Sequence, residues 1–275
     1  MLPSYFLALR EGLEAALILG IVLGVLNKVN RPEFKISVWM GAGSAAVVSI
    51  IAALSLNILG ATFEGAAEEI FEGLTMLLAA GVLTWMIFWM QRQSHSLRYE
   101  LEANVRQATS VNSGRALFTL AFFAVVREGI ELALFLTAAS IATSNQQTLI
   151  GALLGLGTAA FLGYLIFATT VRLNLRRFFQ VTSVLLIFFA AGLVAHGVHE
   201  LIEVGWIPVG IEHVWDINHI IDENSSLGLV LKALFGYNGN PALTEVLAYF
   251  IYLVAVLVGL RWRSKLLPTT KPASM

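Results

Sequence analysis

Apolar runs of roughly membrane-spanning length, about 20 residues, dominate this chain, and short polar stretches separate them. The pattern predicts seven helical spans, at 5–27, 36–59, 70–90, 116–142, 149–171, 179–204 and 244–262. Connections are short except 91–115 and 205–243. The expected fold is an all-α polytopic membrane protein, with residues 1–275 forming one transmembrane domain of seven transmembrane helices.

The polar positions inside those runs are few, and they repeat. Arg10-Glu11-Gly12-Leu13-Glu14 stands in the first span and Arg127-Glu128-Gly129-Ile130-Glu131 in the fourth. Each charge at that depth costs at least about 2.5–3.5 kcal/mol on insertion scales. Six of them in one repeated pattern point to a functional site between helices. A structural Arg–Glu staple is the plain alternative, and the second copy argues against it.

A weaker match pairs Leu78-Ala79-Ala80-Gly81-Val82-Leu83 with Ala190-Ala191-Gly192-Leu193-Val194 in the third and sixth spans. The repeat units are therefore 5–90 and 116–204, with the seventh helix, 244–262, outside them. Three spans is an odd number, so the second unit enters the membrane from the opposite side. This 3+3 inverted repeat plus one extra helix is the plan of many secondary transporters, which bind substrate near the midplane.

Charge sets the expected orientation. Of the 17 Lys and Arg, all but Arg10, Arg127 and Lys232 fall in the first, third and fifth connections or the tail. The positive-inside rule then puts the N-terminus outside and the C-terminus in the cytoplasm. Glu68, Glu69, Asp222 and Glu223 become an acidic approach on the outer face, which concentrates cations.

Composition narrows the chemistry. The chain is 57% hydrophobic and only 13% charged, with mean hydropathy +0.78. It has no cysteine, which excludes disulfides, thiolate metal sites and iron–sulfur clusters. No nucleotide-binding loop or nucleophile constellation is present, no cleavable leader is expected, and no organic cofactor or nucleic-acid partner is implied.

Residues three or four apart share a helix face. Glu11 and Glu14 therefore share one, as do Glu128 and Glu131, with Arg10 and Arg127 placed to neutralise them. Two such helices facing each other converge four carboxylates, which suit hard cations such as iron, manganese, magnesium or calcium. Gly12 and Gly129 would let helices approach closely. Further candidate ligands are Glu72 at the start of the third span, and His199 and Glu200 near the end of the sixth. His196 and Glu203 lie along the same end, and the tryptophans read as an interfacial belt.

These motifs resemble the oxidase-dependent iron permeases, which include the fungal high-affinity iron permeases and the permease component of bacterial iron-uptake systems. The hallmark is Arg-Glu-x-x-Glu in the first and fourth of seven spans. Phe71-Glu72-Gly73, Thr84-Trp85-Met86-Ile87-Phe88-Trp89-Met90 and Gly236-Tyr237-Asn238 are similar too. The resemblance implies a permease rather than an enzyme, importing iron, in its fungal members as the ferric ion. It implies the pentad glutamates as ligands, iron as substrate, a separate extracytoplasmic oxidase or iron-binding protein as partner, and the bacterial inner membrane as location. The alternatives are a membrane di-iron carboxylate oxidoreductase, disfavoured because Glu-x-x-His is absent around His199; a transporter of another divalent metal; and an anion transporter using Arg10 and Arg127.

Overall fold

The computed structural model describes residues 1–93, 97–110, 113–168, 175–223 and 225–266. His95, Arg172, Lys271 and the end of the expected span 149–171 lie outside the described residues. All regular structure among the described residues is helical. The helices are α1 (Leu2–Lys28), α2 (Lys35–Thr62), α3 (Ala66–Gln93), α4 (Leu97–Ser110), α5 (Gly114–Ala142), α6 (Asn145–Ala168), α7 (Leu175–Glu203), α8 (Ser226–Phe235) and α9 (Leu243–Leu266).

Five segments are long and apolar enough to cross a membrane: Pro32–Thr62, Ala66–Met90, Asn145–Phe167, Arg177–Glu203 and Leu243–Trp262. The helices that hold the pentads, α1 and α5, are as long, at 27 and 29 residues. They fall short on composition alone, because any span-length window in them takes in at least three charges.

Small residues decide which helices meet. A Cβ on Gly12 would lie 2.8 Å from Ala159 Cβ, and Cβ atoms on Gly155 and Gly163 would lie 2.9 Å from Ala8 and Ala16. So α1 lies parallel against α6. In the same way α2 lies parallel against α5, where Gly41 faces Phe118 and Ala121, and Gly129 faces Ser49. The glycines of the pentads thus allow the close helix approach expected of them, with α6 and α2 as the partners.

Helices α3 and α7 run antiparallel and cross at Gly73 and Gly197, each facing the other's backbone carbonyl. Helices α1 and α5 are antiparallel as well. Leu7 shares a buried cluster with Phe135 and Ala138, while Val22 and Leu26 share another with Leu117 and Ala121. Thr84 and Tyr252 hydroxyls meet at 2.7 Å, which sets α9 beside α3. One end of the bundle therefore gathers the starts of α1, α3, α6 and α9 with the ends of α2, α5 and α7.

Two expected connections contain helices. Within 91–115, α4 is amphipathic: Leu101, Val105 and Ala108 are buried, and Val105 joins the cluster at the end of α1. Within 205–243, expected as an outer loop, α8 turns into the bundle. Ser225 caps its start by accepting from Gly228 N–H at 3.0 Å. Gly236 ends it in the left-handed conformation at φ 66°. Gly236 packs on Gly192, and the Phe235 and Phe188 rings lie 5.5 Å apart. At about 1.5 Å per residue, Gly192 is roughly 16 Å below the end of α7. The apolar sequence of α8 suits that depth, since its backbone is satisfied within the helix.

Candidate metal site

The pentads sit in the middle parts of α1 and α5, where these antiparallel helices cross. One carboxylate oxygen from each of Glu11, Glu128 and Glu131 lies within 4.8 Å of the others, and all three residues are buried. Four glutamates were expected to converge. Glu14 lies outside this trio but close enough to Glu11, Glu128 and Glu131 to interact with them electrostatically; its Oε1 is 3.4 Å from Arg10 Nε, and its side chain is 15% exposed.

The two arginines are held differently. Arg10 is wholly buried; its Nη1 is 3.8 Å from Glu11 Oε1, and its Nη2 donates to Met90 Sδ at 3.4 Å. Arg127 is 35% exposed. Its Nε donates to Glu131 Oε1 at 3.0 Å and lies 3.8 Å from Glu128 Oε1. Its guanidinium carbon is 4.3 Å from the ring centre of Trp89 and 5.8 Å from that of Trp85.

Charge and hydrogen bonding are unbalanced. Four carboxylates against two guanidiniums leave a formal excess of two negative charges. Neither oxygen of Glu11 accepts from a donor group of the protein, nor do Glu128 Oε2 and Glu131 Oε2, and the Glu11 and Glu128 carboxyls lie within hydrogen-bonding reach of each other. Buried carboxylate oxygens in that condition are costly. A cation taking several oxygens at once removes the cost, and this donor set fits a hard divalent ion.

The other expected site residues form a separate group. Glu72, near the start of α3, and Glu200 on α7 lie close enough to interact electrostatically, at the Gly73 crossing. Both ring nitrogens of His199 face carboxylates: Nδ1 lies 2.9 Å from Glu245 Oε1, and Nε2 lies 3.2 Å from Glu203 Oε1. Thirteen residues of α3 separate Glu72 from Trp85, about 20 Å of helix, so this group is not part of the pentad site.

Glu68 and Glu69 occupy the first turn of α3, where the helix dipole favours acids. Asp222 is exposed. Glu223 is not free to gather ions, because its Oε1 accepts from Gly239 N–H at 2.6 Å and its Oε2 is 3.9 Å from Lys232 Nζ. His196 is tied to Gly192 carbonyl at 2.9 Å.

Sequence reasoning missed Glu245, Trp89 and Met90. Glu245 is buried, and it accepts from Asn238 Nδ2 at 2.9 Å and Ala242 N–H at 3.2 Å as well as facing His199. Its position in the first turn of the last span was the available signal. Trp89 was read as interfacial belt, a reading that suits Trp39, Trp206 and Trp262, exposed at 56%, 61% and 68%.

Several helices long and apolar enough to cross a membrane, with acid and base from a repeated motif gathered in one internal cluster, are those of a multi-pass membrane protein. The chain belongs to the iron permease FTR1 family, whose sequence model matches residues 1–265. It is 36% identical over 261 residues to "Ferrous iron permease EfeU" of Escherichia coli O6:K15:H31 (strain 536 / UPEC), covering 94% of this chain and 95% of that protein. The protein of that name in Shigella sonnei (strain Ss046) matches equally, at 36%. The one in Yersinia pestis is 36% identical over 262 residues, covering 94% of this chain and 92% of its own. No solved structure matches. The family and these relatives are permeases rather than enzymes, and iron transport is the activity they support.

Proposed function

We propose that this chain imports iron as the ferrous ion through a carboxylate site built from the two pentads. The observation that carries this is the convergence of Glu11, Glu128 and Glu131 oxygens within 4.8 Å at the crossing of α1 and α5. The formal excess of two negative charges is matched by one divalent ion, and the relatives are named as ferrous iron permeases. Both favour the ferrous form over the ferric form that the fungal resemblance implies. An arriving ion displaces Arg127 from Glu128 and Glu131 and Arg10 from Glu11, and the arginines reclaim the carboxylates when it leaves. Each arginine thus serves as a stand-in cation.

The site belongs to a seven-span architecture in this reading, with the N-terminus outside, the C-terminus cytoplasmic and the bacterial inner membrane as location. Adding α1 and α5 to the five apolar segments makes the seven. Exchanging α1–α3 for α5–α7 turns the α1–α6 pairing into the α5–α2 pairing, which supports the inverted repeat. Glu68, Glu69, Glu72, Glu200 and His199 then lie at the outer end, as an approach that receives iron from an extracytoplasmic partner.

The test is uptake of radioactive iron into vesicles containing the purified protein, with ferrous and ferric ions supplied separately. Ferrous uptake that is lost in Glu11→Gln, Glu128→Gln and Glu131→Gln is expected. Full uptake by these variants, or uptake of ferric ion alone, contradicts the reading.

A further inference from the structure

The end of α3 supplies both arginines with partners that carry no formal charge: the Trp85–Trp89 pair for Arg127 and Met90 for Arg10. The two indoles stack, with ring centres 6.2 Å apart and planes at 24°. Trp89 is the nearer to Arg127, at 4.3 Å. A guanidinium at that distance is attracted by the negative face of the ring.

The consequence follows from the loading step. When a cation takes Glu128 and Glu131, Arg127 loses its ion pairs and stands beside a second positive charge. It needs a holder that attracts a cation but offers no oxygen to compete for the metal. An indole face meets both conditions. We propose that Trp89 is a positioning residue of the transport site, which holds the Arg127 guanidinium while iron occupies Glu128 and Glu131. The proposal rests on the pentad reading above. It gives Trp89 a part in substrate affinity, although its ring touches no ion. The two pentads are then unequal: Arg127 has a second resting place on an aromatic face, whereas Arg10 is enclosed and has a thioether.

The test is the concentration dependence of ferrous uptake in vesicles under anaerobic conditions. Trp89→Leu is expected to raise KM roughly two- to thirty-fold, the range a lost cation–π contact spans, with the maximal rate within about two-fold of the parent. Trp89→Phe and Trp89→Tyr keep a ring face, and are expected to hold KM within about three-fold, because Phe and Tyr also bind cations on their faces. In an Arg127→Gln background, Trp89→Leu is expected to change KM no further. Equal KM increases for Leu and Phe overturn the proposal. So does a Leu variant that loses only maximal rate, or an undiminished effect of Trp89→Leu without Arg127. If Arg127→Gln does not fold, the comparison of aromatic with aliphatic variants decides alone. Glu131→Gln in the same series separates the two ideas: if it transports with the parent's KM, the pentad reading fails. If it is inactive while Trp89→Leu matches the parent, only the role of Trp89 falls.

Discussion

Arg10 and Arg127 occupy corresponding places in the two motifs, but their surroundings differ. Arg10 is fully enclosed, whereas Arg127 is 35% exposed and stacked on Trp89. Removing one partner of a buried pair costs about 3–5 kcal/mol, because the other charge is left uncompensated. Arg10→Leu is therefore expected to lower the unfolding temperature of the purified protein sharply, and more than Arg127→Leu does. The double variant Arg10→Leu with Glu14→Gln should recover part of the loss, since no orphan charge remains at Glu14. It should still transport poorly with the site altered. Thermal unfolding in detergent, measured beside uptake, checks all three; normal iron transport by the double variant would make the pentad a structural staple. The placing of the four glutamates and both arginines between helices was legible in the sequence, because charges in an apolar run are too costly to face lipid. The tighter trio of Glu11, Glu128 and Glu131 within the four, and the contacts of Trp89 and Met90, were not. They depend on how α1, α3 and α5 rotate about their axes, and an apolar helix in an apolar medium carries no amphipathic stripe to report that rotation.

Helix pairing was the least legible level for the same reason. The close approach permitted by Gly12 and Gly129 was foreseeable; the partners, α6 and α2, were not. Space at these crossings makes a contrast that can be measured. A Cβ on Gly129 runs into Ser49 Oγ and Cβ, while a Cβ on Gly24 of α1 meets nothing within 4 Å. Gly129→Ala is expected to destabilise by about 1–3 kcal/mol through overpacking. Gly24→Ala is expected to be neutral or stabilising by up to about 1 kcal/mol, through helix propensity. Restoring room with Ser49→Gly should recover part of the loss in Gly129→Ala. Denaturation in mixed detergent micelles reads these differences, and equal effects at the two glycines would contradict the packing. Helix α8 escaped the sequence reading because ten residues are too few to announce a span. Its apolar character was visible, but its depth is set by Gly192 and Gly236, which meet only in three dimensions.

Across the whole molecule, charge distribution and helix direction point the same way. Among the described residues, the basic positions Lys28, Arg31, Lys35, Arg106, Arg115 and Arg177 fall at the end of the bundle where α1, α3, α6 and α9 finish, and the acidic first turn of α3 falls at the other. The chain has no native cysteine, so single-cysteine labelling is clean. Glu212→Cys is expected to react with an impermeant reagent from outside intact cells, and Glu100→Cys only after the membrane is opened. The reverse pattern would sink the topology and the inverted repeat with it. The central claim is that a ferrous ion is held between α1 and α5 by the oxygens of Glu11, Glu128 and Glu131. Equilibrium binding of radioactive ferrous ion to the purified protein under anaerobic conditions tests it most directly. The prediction is one tightly bound ion per chain, lost in Glu11→Gln, Glu128→Gln and Glu131→Gln, and weakened but retained in Glu14→Gln. Undiminished binding in the three variants, with loss on changing Glu72 or Glu200 instead, would contradict it.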